Sequence, residues 1–476
     1  MIAALIVLPI LAGFALYLVP RSAELTAKWL GVLVAFASLV LAVLGNGQPD
    51  ESLRWLQRPF SANFHVGLGG LGFWVVALLA LSTICALVAL RVPRQRDFVA
   101  QMLFLLGAMS GVFVARDLLL FALFWDLMLI PVFMLLIAWA PGRGGATAWR
   151  YLIYNLAGGL ALLLATAAYG VVEGSTDVIG LSVGHGVTAI GAAWGAWIFA
   201  GYAFGFLVKT PVWPFHTWMP DTYADLPPAA VAVVSAVQSK AGLYGFLVVT
   251  APLLPEQMRA AATAMFVLGL VGLVYGALVA LVQDDAKRVV AYSSLSHLGL
   301  ILLAVFSGNA VALGGAAVYI IAHGLFSAGL FIVLGQVEER QQTRLLSRLG
   351  GLAELEPKLA GALHIMALAA LGLPGLCGFA GEILILTGLY QAGAVWPAAI
   401  ALVPIVLAAA YMLRLFQRFM HGPVRAALPQ RPDLRPIELL ALGPLVIAIA
   451  LLGIYPAPVA GSGATLTHPQ LAGVQR

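Results

Sequence analysis

Charge is what this sequence has least of. Only 9% of its 476 residues are Asp, Glu, Lys or Arg, against about 25% in soluble domains. A water-facing surface of ordinary composition cannot be made from it. There are two cysteines, Cys85 and Cys377, each inside an apolar run. They cannot supply the four thiolates of an iron–sulfur cluster, and their positions do not point to a disulfide. No segment alternates in the manner of a membrane barrel strand, strands are not expected, and no glycine-rich nucleotide fingerprint is present. The chain therefore carries no legible redox centre of its own. The first apolar run, 1–20, has no Lys or Arg ahead of it; it lacks the basic leader of a signal peptide and is expected to stay as a helix.

What is present is apolar residue, 62% of the chain, gathered into runs of about 20, the length that crosses a bilayer. The reading is an all-α polytopic membrane protein of about fourteen transmembrane helices, near 1–20, 28–46, 68–91, 98–115, 117–140, 148–172, 187–211, 227–251, 259–283, 288–307, 310–336, 358–390, 397–420 and 437–456. Two are expected to be broken. In the seventh, Pro211 and Pro214 follow Lys209 closely, and each proline removes a backbone donor and clashes with the preceding turn. The twelfth is longer than a bilayer needs and holds Leu-Pro-Gly at 373–375. One broken helix in each half fits two inverted five-helix repeats with sites at the breaks. The division is an N-terminal three-helix segment (1–97), a first repeat (98–251), a second repeat (252–420) and a C-terminal helix and tail (421–476).

The net charge of +5 and pI near 9.2 mark one membrane face and do not indicate nucleic-acid binding. Most basic residues, among them Arg91, Arg94, Arg96, Lys287, Arg340 and Arg344, follow odd-numbered spans; Arg54, Arg58, Arg116, Arg259 and Arg476 lie on the other side. By the positive-inside rule the odd loops are cytoplasmic and both termini face outward. The outer stretch 47–66 reads as a folded cap, and the tail from Pro456 as weakly ordered.

Few titratable groups remain inside the spans: Asp126, Lys209, Lys240, His297, His323 and Glu382. A charge at the bilayer centre costs about 2.5–3.5 kcal/mol on insertion scales, so it faces a partner or water. Burial disfavours a charged lysine and an approaching carboxylate restores it, which makes the residue a switchable proton site. Tyr319, His323 and Ser327 stand four residues apart and share a helix face. Ser293, Ser294 and Ser296 surround His297 with hydroxyls, and Gly242 and Gly245 beside Lys240 permit close helix approach. Each feature has a plainer reading. A membrane histidine can bond a neighbouring carbonyl, serines can glue helices, Asp126 and Lys209 can be a static pair, and Gly375, Gly378 and Gly381 can serve packing. Trp213 and Trp218 read as interface anchors. Lys240 admits a bland reading least, because its neighbouring span has no other formal charge.

The ordered motifs VKTPVWPFHTWMPD, SKAGLYG, QDDAKRVVAYSSLSHLG, IAHGLFSAGLFIVLGQ and LPGLCGFAGE resemble the antiporter-like subunits of respiratory complex I, a family shared with multisubunit sodium/proton antiporters and membrane-bound hydrogenases. WDLMLIP in the fifth span, glutamate at 382 and the lack of a long lateral helix look most like its M type (mitochondrial subunit 4). The resemblance implies that Asp126 controls Lys209, and that Lys240 passes protons through His297 and His323 to Glu382. It implies L-like, N-like and small K-like membrane partners, with NADH, FMN, iron–sulfur clusters and quinone held by partner subunits and no cofactor or metal in this chain. Two positions depart from the family. Its fifth-span acid is usually glutamate, and Asp126 is one methylene shorter, so contact with Lys209 lengthens or needs a water. After WMPD the family often has Ala-His, where this chain has Thr222–Tyr223. The expectation is a proton-translocating subunit of an NADH-quinone oxidoreductase in a bacterial inner membrane. The alternatives are a cation/proton antiporter or hydrogenase subunit, or an inactive structural subunit of the arm.

Overall fold

The computed structural model describes residues 1–142, 144–177, 191–424 and 432–464. Helices α1 (Ala4–Leu16) and α2 (Glu24–Gly45) lead to an antiparallel hairpin, β1 (Glu51–Leu56) and β2 (Ala62–Val66). Then come α3 (Gly70–Val88), α4 (Gln95–Val114), α5 (Leu118–Leu127), α6 (Leu129–Trp139), α7 (Gly144–Glu173) and α8 (Ala192–Lys209). A broken middle follows: α9 (Met219–Asp225), α10 (Pro228–Ala236), a 3-10 turn (Gln238–Lys240), α11 (Ala241–Gly245), a π turn (Phe246–Thr250) and α12 (Ala251–Leu253). The second half holds α13 (Pro255–Val282), α14 (Ala286–Phe306), α15 (Ala310–Gln341), α16 (Leu352–Leu355), α17 (Pro357–Ala370), α18 (Cys377–Gln391), α19 (Val395–Met420), α20 (Pro436–Ile454) and α21 (Ala457–Ala464).

Among the described residues, 11 helical segments are long and apolar enough to cross a membrane, with α1 and α17 as shorter apolar helices. The segment Pro228–Leu253, α14 and α15 form the interior, while α2, α19 and α20 present most of their surface outward. In lipid the apolar face gives helices no reason to prefer one another, so small residues set their approach. At the α13–α14 contact, Gly276 meets the backbone of Tyr292 and Ser296, Gly299 meets that of Gly269 and Leu273, and Ser296 Oγ donates to the Leu273 carbonyl at 2.8 Å. That serine is glue, as its plainer reading had it.

Three expectations are corrected. The stretch 47–66 is capped by a two-stranded sheet, where no strand was expected; its backbone pairs because it lies outside the helical bundle. The stretch after Pro456 is helical in α21, with Val459 buried; the tail beyond it, 465–476, lies outside the described residues. Trp218 is buried and donates from Nε1 to the Val208 carbonyl at 3.0 Å, so it is no interface anchor.

Charge is sorted by end. At one end Arg340, on the last turn of α15, pairs with Glu438 at 2.7 Å and Glu356 at 3.3 Å. Arg91 joins Glu438 at 2.7 Å and Glu339 at 2.8 Å. Lys287 pairs with Glu338 at 2.9 Å, and Arg344 with Asp285 at 2.7 Å. At the opposite end the Met1 ammonium meets Glu51 of the hairpin, and His65 Nδ1 lies 2.5 Å from Asp177.

Candidate functional site

The first break ends α8 at Lys209. Pro211 and Pro214 have no backbone donors to continue the ladder, so the last carbonyls find others. The Phe206 carbonyl accepts from the Thr210 amide at 2.9 Å, that of Leu207 from Val212 at 3.0 Å, and that of Val208 from Trp218. Irregular backbone at membrane depth is tolerated when it is satisfied in this way. Lys209 is buried, and among the described residues its Nζ has no hydrogen-bond partner; it sits 5.2 Å from the centroid of the Trp125 ring. Asp126, next along α5, has its Oδ1 buried, likewise without a hydrogen-bond partner among the described residues. The two groups are close enough to act on each other electrostatically, yet among the described residues no ion pair joins them. Gly159 of α7 makes room for Asp126, since a Cβ there would run into Oδ1.

Lys240 lies at a second interruption, one that no proline announces. Val237 leaves the helical region at φ −128, and Gln238–Lys240 winds as a 3-10 turn with the Lys240 amide on the Val237 carbonyl at 2.9 Å. The Ser235 carbonyl, freed from the α ladder, accepts from the Ser239 hydroxyl at 3.2 Å and from the Lys240 ammonium. Gly242 and Gly245 abut the Phe206 carbonyl and ring, which draws this segment against the end of α8.

His297 of α14 and His323 of α15 face each other with ring centroids 5.5 Å apart, both buried. Among the described residues, neither nitrogen of His323 has a hydrogen-bond partner, nor has His297 Nδ1. His297 Nε2 lies 3.4 Å from the Tyr411 hydroxyl, which also bonds Ser293 Oγ at 3.0 Å. Beyond the histidines, Tyr319 donates to Glu382 Oε1 at 2.7 Å. Glu382 follows the second break, between α17 and α18, where Gly372 adopts φ +76 and leaves the space that Glu382 Oε2 fills. The α15 face seen in the sequence does three jobs: Tyr319 holds Glu382, His323 meets His297, and Ser327 Oγ donates to Ser235 Oγ at 2.8 Å beside Lys240.

All six sequence-selected residues thus lie in two groups, Asp126 with Lys209 and Lys240 through the histidines to Glu382. No hydrogen bond among the described residues joins the two lysines. Sequence reasoning missed Tyr411, Ser235, Tyr151 and Gln238. Tyr411 had a signal, a single hydroxyl in an apolar helix, which when buried has to find a partner. Ser235 had none, because its carbonyl matters through the 3-10 turn.

A helical bundle with interrupted spans and a line of buried titratable groups lacking fixed partners defines an ion-handling membrane subunit. The family model described as "NADH:quinone oxidoreductase/Mrp antiporter, TM" matches residues 115–408. The chain is 33% identical to NADH-quinone oxidoreductase subunit M of Pseudomonas aeruginosa, covering 98% of this chain and 96% of that one. With the subunit M of Rhodobacter capsulatus it shares 32% identity over 95% of this chain and 92% of the relative. A chain of respiratory complex I from Thermus thermophilus superposes with TM-score 0.87 at 31% identity, over 98% of this chain and 100% of that one. This chain belongs to the membrane-subunit family of NADH:quinone oxidoreductases and Mrp antiporters.

Proposed function

We propose that the chain is a proton-translocating subunit in the membrane arm of an NADH-quinone oxidoreductase of the subunit M kind. The observation that carries this reading is the run of buried, incompletely partnered groups from Lys209 and Lys240 through His297 and His323 to Glu382. Asp126 approaching Lys209 favours its charged form, and Asp126 withdrawing releases the proton toward Lys240. The imidazoles carry it on, since each ring can take a proton at one nitrogen and give one up at the other. Glu382 delivers it outward or to a neighbouring subunit, and the Tyr319 hydroxyl steadies the carboxylate. NADH, FMN, iron–sulfur clusters and quinone belong in this reading to partner subunits. The neighbours in the arm are L-like and N-like antiporter subunits and a small K-like subunit.

The arrangement proposed is fourteen spans with inverted repeats at 98–251 and 252–420, in a bacterial inner membrane with both termini outside. The charge asymmetry supports that orientation: the buried Arg340 network lies at one end and the Met1–Glu51 contact at the other. Purification of the tagged protein in mild detergent, followed by mass spectrometry, tests the assignment. Flavin and iron–sulfur subunits of a quinone reductase should co-purify. Recovery of small antiporter subunits alone, with sodium-dependent transport, or of a nickel hydrogenase, would replace the proposed engine.

A further inference from the structure

The two lysines share no hydrogen bond, but one face of α7 touches the surroundings of both. Gly159 seats Asp126, and Gly158, one residue earlier, packs on Val208 beside Lys209. Two turns back, the buried Tyr151 hydroxyl accepts from Gln238 Nε2 at 2.6 Å, inside the 3-10 turn that ends at Lys240. The Tyr151 ring also meets the Trp218 ring edge-on, with centroids 5.5 Å apart. Trp218 in turn holds the Val208 carbonyl. The start of α7 is pinned to α9, by Thr147 Oγ1 on Asp225 at 2.7 Å and by the Arg150–Asp221 pair.

We propose that Tyr151 and Gln238 are positioning residues that tie the Lys240 turn to the Lys209 helix end, so that a shift at one interrupted helix is transmitted to the other. A 3-10 turn has poorer backbone hydrogen bonding than an α-helix and readily changes its winding. Gln238 fastens that turn to α7, and among the described residues its acceptor Oε1 has no hydrogen-bond partner. Removing the Tyr151 hydroxyl would leave the buried amide donor unsatisfied and cut the turn's hydrogen bond to α7, while the ring would still pack on Trp218. Two lysines that must change charge in sequence need their separation held, and α7 is a single rigid element spanning both.

This inference rests on the proton-translocation reading, and the experiment separates the two. Tyr151→Phe, Gln238→Leu, their double variant and Lys240→Ala are compared in the whole complex within inverted membrane vesicles. NADH-driven acidification is measured beside NADH oxidation by a water-soluble artificial acceptor, which counts assembled complex. Each single variant should lower acidification about two- to thirtyfold, the range of energetic coupling between sites, at unchanged acceptor activity. The double variant should be no worse than the poorer single one, because both remove the same bond. Unchanged acidification in Tyr151→Phe, or acidification and acceptor activity falling together, overturns the strap. If Lys240→Ala also acidifies normally, the translocation reading itself fails.

Discussion

Charges buried at the basic end of the molecule and charges buried within the spans follow opposite rules. At the end, Arg340, Glu438 and Glu356 are almost fully buried and tied in one network with Arg91. Within the spans, and among the described residues, Lys209 Nζ has no hydrogen-bond partner, Asp126 Oδ1 none, and Lys240 Nζ only a carbonyl. A buried ion pair that loses one member leaves the other uncompensated, so the first kind of charge holds helices in place. A buried charge with no counterion held against it can change protonation state without dismantling anything. The difference separates buried charges that hold helices together from those that, in the proposed function, are free to carry protons.

The contrast can be broken in order of expected effect. Arg340→Ala should destabilise the protein by about 3–5 kcal/mol, since it strands Glu438 and Glu356; chain recovered from membranes and its thermal midpoint would both fall. Lys209→Met, which keeps most of the buried side-chain volume, should leave that midpoint nearly unchanged while NADH-driven acidification drops by roughly a hundredfold or more, the scale of a lost proton-transfer group. Glu382→Gln should lower acidification severalfold with little change in stability, because the amide oxygen still accepts from Tyr319. Gly159→Ala should act more weakly, displacing Asp126 by the collision of its methyl group with Oδ1; acidification at saturating NADH would show it.

The smallest effect lies at the other end. Glu51 is pushed upward by burial, but the Met1 ammonium and the Ile2 and Ala3 amides outweigh that and hold its carboxyl below the ordinary value of 4.5. A lowered folded value contributes stability that is present above the unfolded value and lost as pH falls through the folded one. The difference in melting temperature between wild type and Glu51→Gln should therefore be present above the ordinary carboxylate range and shrink as pH falls below it. A difference that grows on acidification would contradict the assignment.

Much of this was legible in the sequence, for physical reasons. Proline beside Lys209 and Leu-Pro-Gly before Glu382 announce breaks because proline cannot donate. Lone charges stand out in apolar runs because lipid makes them costly. The i, i+4 spacing of Tyr319, His323 and Ser327 placed them on one face correctly. What stayed hidden depends on neighbours distant in the chain. The 3-10 turn at Lys240 contains no proline, and packing of Gly242 and Gly245 on Phe206 sets it. Trp218 reads as an interface residue until the freed Val208 carbonyl is seen to need its indole. Arg340 follows the eleventh span like the other loop charges, and the packing of α15 against α20 buries it against Glu438. Asp126 stands out in the sequence as a lone acid in an apolar run, but its seat against Gly159 depends on the packing of α5 on α7.

The most direct test sets Lys240→Ala beside Arg340→Ala in assembled complex. Acidification per unit of NADH-to-artificial-acceptor activity is the quantity to measure. Lys240→Ala should lose most of its acidification at full assembly, while Arg340→Ala should lose assembly and acidification in proportion. Normal acidification without the Lys240 ammonium would contradict the claim that unpaired buried charges carry the protons.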